Sequence, residues 1–140
     1  MAINQLSVFV SNHPGSMVQI TQALKDAKVD IRALAVADTQ NFGIIHFILS
    51  DHKKAKEVLT ENHCLISDDM VVGVAMPDTP GGLTDVLSFL AENKINVEYL
   101  YAFLTPKKGK ACVVLRVANP EEVDRLLLSK GFELIDDHLE

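Results

Sequence analysis

Two short stretches carry the side chains with chemistry to offer, Asn12-His13-Pro14-Gly15-Ser16-Met17 and Asp78-Thr79-Pro80-Gly81-Gly82-Leu83. In each, Pro fixes φ, Gly accepts almost any backbone angle, and a helical pattern begins at once. The amides that follow are therefore the unpaired donors of a new helix, and such a turn is a modest anion site suited to a carboxylate. A lone Pro-Gly pair can simply turn the chain. Recurrence in matching places, with the same neighbours on both sides, argues for more.

The remaining reactive residue types form no constellation. Cys64 and Cys112 lie in apolar runs without metal-ligand spacing and read as small reduced core residues. The five histidines, His13, His46, His52, His63 and His138, are scattered, and one Cys beside His63 makes no zinc site. No phosphate loop and no nucleophile with an adjacent base appears. The sequence therefore reads as non-catalytic, with no cofactor and no metal.

These turns are positioned by a pattern that is written twice. The first strand is expected over Ile3 to Val10, followed by a helix whose apolar stripe is Met17, Ile20, Leu24 and Ala27 and which ends near Lys28. Val29 to Ala37 and Phe42 to Leu49 read as a hairpin joined through Asp38-Thr39-Gln40-Asn41. Ser50 or Asp51 can cap a second helix burying Ala55, Val58 and Leu59, and His63-Cys64-Leu65-Ile66 supplies a short last strand ending at Ser67-Asp68-Asp69.

The pattern then restarts at an offset of 66, which relates Pro14 to Pro80, Ile31 to Val97 and Gly43 to Gly109. Leu83, Val86, Leu87 and Leu90 repeat the first stripe, Val97 to Leu104 the second strand, and Ala111 to Leu115 the third. Asn119-Pro120-Glu121-Glu122 starts the last helix, with Asn as cap, Pro first and Val123, Leu126 and Leu127 facing inward. Here the offset has drifted to 68, as a small loop insertion would produce. Gly131 to Ile135 closes the chain of elements.

The order βαββαβ, twice, predicts an α+β fold of two ferredoxin-like units, each an antiparallel sheet with its helices on one face, the two paired side by side. The expected boundaries are 1–69 and 70–140, units small enough that each leans on the other. Hydrophobic content of 48% with 23% charged residues is an ordinary globular balance. A net charge of −6 with 6% aromatic content argues against nucleic acid. No apolar run reaches bilayer length and Met1 to Gln5 has no basic leader, so no membrane partner and a cytoplasmic location are expected.

A first strand, a turn of form N-x-P-G or D-x-P-G, a helix, and a V-D-I or I-N-V opening to the second strand resemble the ACT domain, the small-molecule regulatory module of amino-acid metabolism. The openings are Val29-Asp30-Ile31 and Ile95-Asn96-Val97, so the resemblance covers essentially the whole chain. It is that of a stand-alone tandem ACT protein. The resemblance implies a small-molecule ligand, usually an amino acid, at the interface of two ACT units, held by the turn of one and the strand-two opening of the other.

Mapped here, the turn positions are Asn12, His13, Gly15, Ser16 and Met17 in the first repeat and Asp78, Thr79, Gly81, Gly82 and Leu83 in the second, with Asp30 and Asn96 at the openings. Asn12 and Asp78 equally suit capping a turn. If the repeats pair within the chain, Asn12, His13 and Ser16 meet Asn96, whereas Asp78 meets Asp30, where two carboxylates oppose an acidic ligand. The first site is then the one used.

Two functions fit: a regulator that senses an amino acid, and an interaction or oligomerisation module whose turns are vestigial. Unpaired sheet edges favour a homodimer in either case. Acylphosphatases share the fold, but their loop after the first strand needs an Arg where this chain has His13 or Thr79.

Overall fold

The computed structural model describes residues 2–38, 41–103 and 107–136, and Thr39, Gln40, Leu104, Thr105, Pro106 and His138 lie outside the described residues. The order of elements is β1 (Ile3–Ser11), α1 (Ser16–Asp26), β2 (Ile31–Asp38), β3 (Phe42–Leu49), α2 (His52–Glu61), β4 (Leu65–Pro77), α3 (Gly82–Glu92), β5 (Tyr99–Phe103), β6 (Lys110–Arg116), α4 (Pro120–Lys130) and β7 (Glu133–Leu134). This is the tandem ferredoxin-like pattern. Two compact units result, Asn4–Asp69 and the chain from Met70 on, which Ile3 joins.

In the Asn4–Asp69 unit β3 pairs antiparallel with both β1 and β2. One face of these strands meets the helices in a core of Leu6, Val8, Ile45, Phe47, Ile20, Leu24 and Leu59. In the other unit the strands run β7-β4-β6-β5, all antiparallel. Val72, Val74, Val113 and Leu115 there bury Val86 and Leu90 of α3 and Val123 and Leu127 of α4. Helices lie on one face because only alternate strand residues point that way.

The structure corrects several boundaries. Ser67-Asp68-Asp69 is no break, since Leu65–Pro77 is one strand. The three residues include neither Gly nor Pro, and Asp68 is held from α2 by His52 Nε2 at 2.8 Å and Lys56 Nζ at 2.6 Å. Met17 is half exposed, and the buried stripe of α1 is Ser16, Ile20 and Leu24. Angle does not explain this, because seven residues bring Met17 to within about 20° of Leu24; Met17 stands in the first turn of α1, next to the exposed loop 12–15. The same holds for Leu83, beside the buried Gly82, Val86 and Leu90.

Gly43 does not correspond to Gly109. Val10 pairs with Gly43 and Met76 with Ala111, so an offset of 66 on the first strand of each repeat has become 68 on the third. Gly109 instead sits in the turn before β6 with φ 77°, and the insertion lies between β5 and β6. Asp51, not Ser50, caps α2 by accepting from Lys54 N at 3.0 Å. Asn119 occupies the cap position of α4 without a side-chain bond to the helix amides.

Candidate functional site

Both turns are built by the same backbone device. Gly15 and Gly81 are the N-caps of α1 and α3 with φ of 86° and 93°, left-handed values that side chains rarely adopt. Ser16 N reaches His13 O at 3.3 Å and Gly82 N reaches Thr79 O at 3.1 Å, closing the turns. Because the caps are glycines, neither helix start is covered by a side chain, and Asn12 and Asp78 are exposed rather than spent on capping. The second and third amides of each helix, at 17 and 18 and at 83 and 84, have no carbonyl within the helix to bind.

The side chains on this frame differ. In the first turn Ser16 is 7% exposed, and its Oγ lies 2.9 Å from His13 Nδ1. The same nitrogen is 3.1 Å from Pro14 O. A carbonyl only accepts, so a proton on Nδ1 satisfies that contact, and Nε2 becomes the polar atom available to a guest. The second turn has Thr79 and Gly82 at these places and no imidazole.

The first turn opens into a cleft of about 620 Å³ between the end of β1, one side of α1 and the loop from α2 to β4. Its polar wall carries His13, Ser16, Gln19, Gln22, Asp26 and Asn62, and its apolar wall Phe9, Val10, Ile20, Ala23 and Leu65. His63 and Cys64 close the loop side. Burial raises the pKa of the Cys64 thiol, so the group meets the cleft neutral. Unlike Cys112, which is buried in β6, Cys64 is half-buried and precedes its strand.

The strand-two residues stand elsewhere. Asp30 borders a cavity of about 420 Å³ with Thr21, Lys25 and Lys28, at the far end of α1 from the turn. Its backbone is tied to the end of β3, Asp30 N to Ser50 Oγ at 2.8 Å and Ser50 N to Asp30 O at 2.9 Å. Asn96 borders a cavity of about 300 Å³ with Lys94, Glu98, Asn119 and Glu122, beyond the C-terminal end of α3. A helix of 11 residues is roughly 16 Å long, so within a unit the turn and the opening do not meet. Gln19, Gln22, Asp26 and Asn62 escaped the sequence reading because no motif marks them. Their sequence signal is the pairing of Ala23 and Cys64, small where the second repeat is large.

The chain is thus a pair of ferredoxin-like units, each with a left-handed glycine at the start of its first helix. The sequence matches the ACT domain pair family over residues 1–139, and the chain belongs to that family. No curated protein matches it. Among solved structures, protein BT0572 from Bacteroides thetaiotaomicron is similar at 33% identity and a TM-score of 0.92, covering 99% of this chain and 94% of that one.

The regulatory subunit of aspartate kinase from Thermus thermophilus shares 13% identity at a TM-score of 0.62 over 91% and 92% of the chains. E. coli aspartokinase III, solved in complex with lysine and aspartate, shares 12% at 0.55 over 95% of this chain and 32% of its own. Both show the fold alone. No helix among the described residues is long and apolar enough to cross a membrane.

Proposed function

We propose that this chain is a non-catalytic regulatory protein that binds an amino acid, with 1–69 and 70–140 each serving as one ACT unit. The observation that carries the reading is the first turn: a glycine cap that leaves helix-start amides uncovered beside a His13 held by the buried Ser16. Helix-start amides receive a carboxylate, while Asn12 and the acceptor Nε2 of His13 can serve an ammonium. Family membership and the regulatory ACT neighbours support it.

At the second turn Asp78 replaces Asn12, and its charge opposes an acidic ligand, so Gly81, Gly82, Thr79 and Leu83 frame the weaker site. Asp30 and Asn96, remote from the turns of their own units, would serve a ligand held between two units. A thermal-shift screen of all common amino acids tests the reading. A ligand at about one hundred times its Kd adds roughly 2.7 kcal/mol, a shift of several degrees in a chain this size. No shift with any of them would overturn it.

A second reading, an oligomerisation module, rests on β2. Within its unit this strand pairs with β3, while Leu34 and Val36 upon it are each 49% exposed. An apolar strand of that kind suits a second copy of the chain, and we propose a homodimer, alone or together with ligand binding. Light scattering that returns the monomer mass at high concentration would reject it.

A further inference from the structure

The cleft of the Asn4–Asp69 unit has a polarity of its own. Among the described residues that line it, Asp26 is the one carboxylate and there is no lysine or arginine. Asp26 is the last residue of α1 and Ser16 the first, so the anion-receiving start of the helix and this carboxylate stand roughly 15 Å apart along one wall. Gln22 Nε2 donates to Asp26 Oδ1 at 2.9 Å, which holds that carboxylate against the helix. Ile20 and Ala23 line the cleft between the two ends and can cover the methylenes of a guest, with Gln19, Gln22 and Asn62 also in the lining.

The second unit supplies the contrast. Cys64 N to Leu59 O and Phe132 N to Leu127 O are both 3.0 Å, and His63 and Gly131, just before, both have positive φ. Cys64 and Phe132 are therefore equivalent. On the first helix of each repeat, Val29 N to Leu24 O and Ile95 N to Leu90 O are both 2.9 Å, which makes Ala23 the counterpart of Phe89. In the second unit these two positions meet as a ring pair, centroids 5.6 Å apart and tilted by 48°. Where one repeat places two phenyl rings, the other places a methyl and a thiol, and the cleft occupies the difference.

We infer that this cleft is a binding site for an amino acid with a basic side chain, its carboxylate at the His13–Ser16 turn and its cationic end at Asp26, and that Phe89 and Phe132 fill the matching place in the other repeat. The site lies within one unit and needs no residue from a second. It rests on the reading that the chain binds an amino acid.

Calorimetry on the full chain with L-lysine, L-arginine and L-norleucine tests it, L-norleucine lacking only the terminal ammonium of L-lysine. Lysine or arginine should bind at least tenfold more tightly than norleucine. Asp26→Asn should erase that preference, and Ala23→Phe with Cys64→Phe should abolish the heat. If the filled variant does not fold, the wild type still decides: the side-chain amide resonances of Gln19, Gln22 and Asn62 should shift on adding lysine. Should the preference survive in Asp26→Asn, or binding survive in the filled variant, while Asn96→Ala abolishes the heat, the amino-acid reading stands and the cleft is overturned. Should no amino acid give heat or move a resonance, both fall.

Discussion

The two units keep the same backbone and spend their side chains differently. Left-handed residues recur in register, Gly15 with Gly81 and Lys28 with Lys94, as do the turns they make. On the sheet face away from the helices the contrast is sharpest. Gln5, Ser7 and His46 form a polar group in the first unit, Ser7 Oγ 2.8 Å and Gln5 Nε2 3.3 Å from His46 Nδ1. The strand registers place Val71, Gly73 and Val114 at the corresponding positions, and there the group is apolar. A duplicated fold tolerates this because the pleat dictates which face a residue takes, not what chemistry it brings.

The largest effect expected from exchanging the two patterns is at Gly73. A Cβ there would overlap Ile135 Cγ1 and stand 2.6 Å from Ile3 Cδ1, whereas Ser7 carries its side chain without difficulty. Gly73→Val should cost at the upper end of about 1–3 kcal/mol in urea melts, against about 1 kcal/mol for Ser7→Gly, which loses the bond to His46 but meets no overlap. A neutral Gly73→Val would show that the two faces are interchangeable. Next comes Phe89→Ala, which removes half of the ring pair and should cost about 2 kcal/mol, less than for a fully buried ring. Ala23→Phe should cost under about 1 kcal/mol by the same measurement if the cleft has the room described.

Gly15→Ala and Gly81→Ala should each cost about 1 kcal/mol, and equally. Nothing lies within 4 Å of an added Cβ at either position, so only the left-handed φ is strained. Unequal losses in thermal melts would mean that one turn bears a load the other does not.

Much of this architecture was legible from the chain. Phe42–Leu49 has the bounds its alternation predicts, and the doubled Pro-Gly turns and the helix order follow from local chemistry. What stayed hidden depends on distance or on absence. Ser-Asp-Asp has turn composition, yet it stays extended within β4, where α2 grips Asp68. Ser7 and His46 lie 39 residues apart and meet only through the β1–β3 register. The cleft was unreadable because Ala23 and Cys64 announce nothing except by comparison with Phe89 and Phe132.

The smallest effect is the one that tests the polar group directly. Burial lowers the pKa of His46 below the ordinary histidine value, with the Asp69 charge working in the opposite direction. Two neighbours approach the same nitrogen. Gln5 Nε2 can only donate, so Nδ1 is best kept as an acceptor and the ring neutral. A histidine that binds its proton less readily when folded leaves the unfolded chain with more protons as the pH drops. Stability from this group is therefore complete above the ordinary value near 6.5 and is lost as pH falls from there through the lower folded value. Asp68 also responds to acid. Burial works against the charge of Asp68, but hydrogen bonds from Lys56 and His52 outweigh it, so its pKa is lowered and its contribution fades in a more acidic window. The measurement is thus a difference: melting temperatures of the wild type and of His46→Val, which copies Val114 of the second unit, taken between pH 7.5 and pH 5. The wild type should lose more on acidification than the variant does. Parallel curves would mean that the half-buried imidazole titrates as it would in water, and the first unit's polar face would then be as inert to pH as the apolar face of the second.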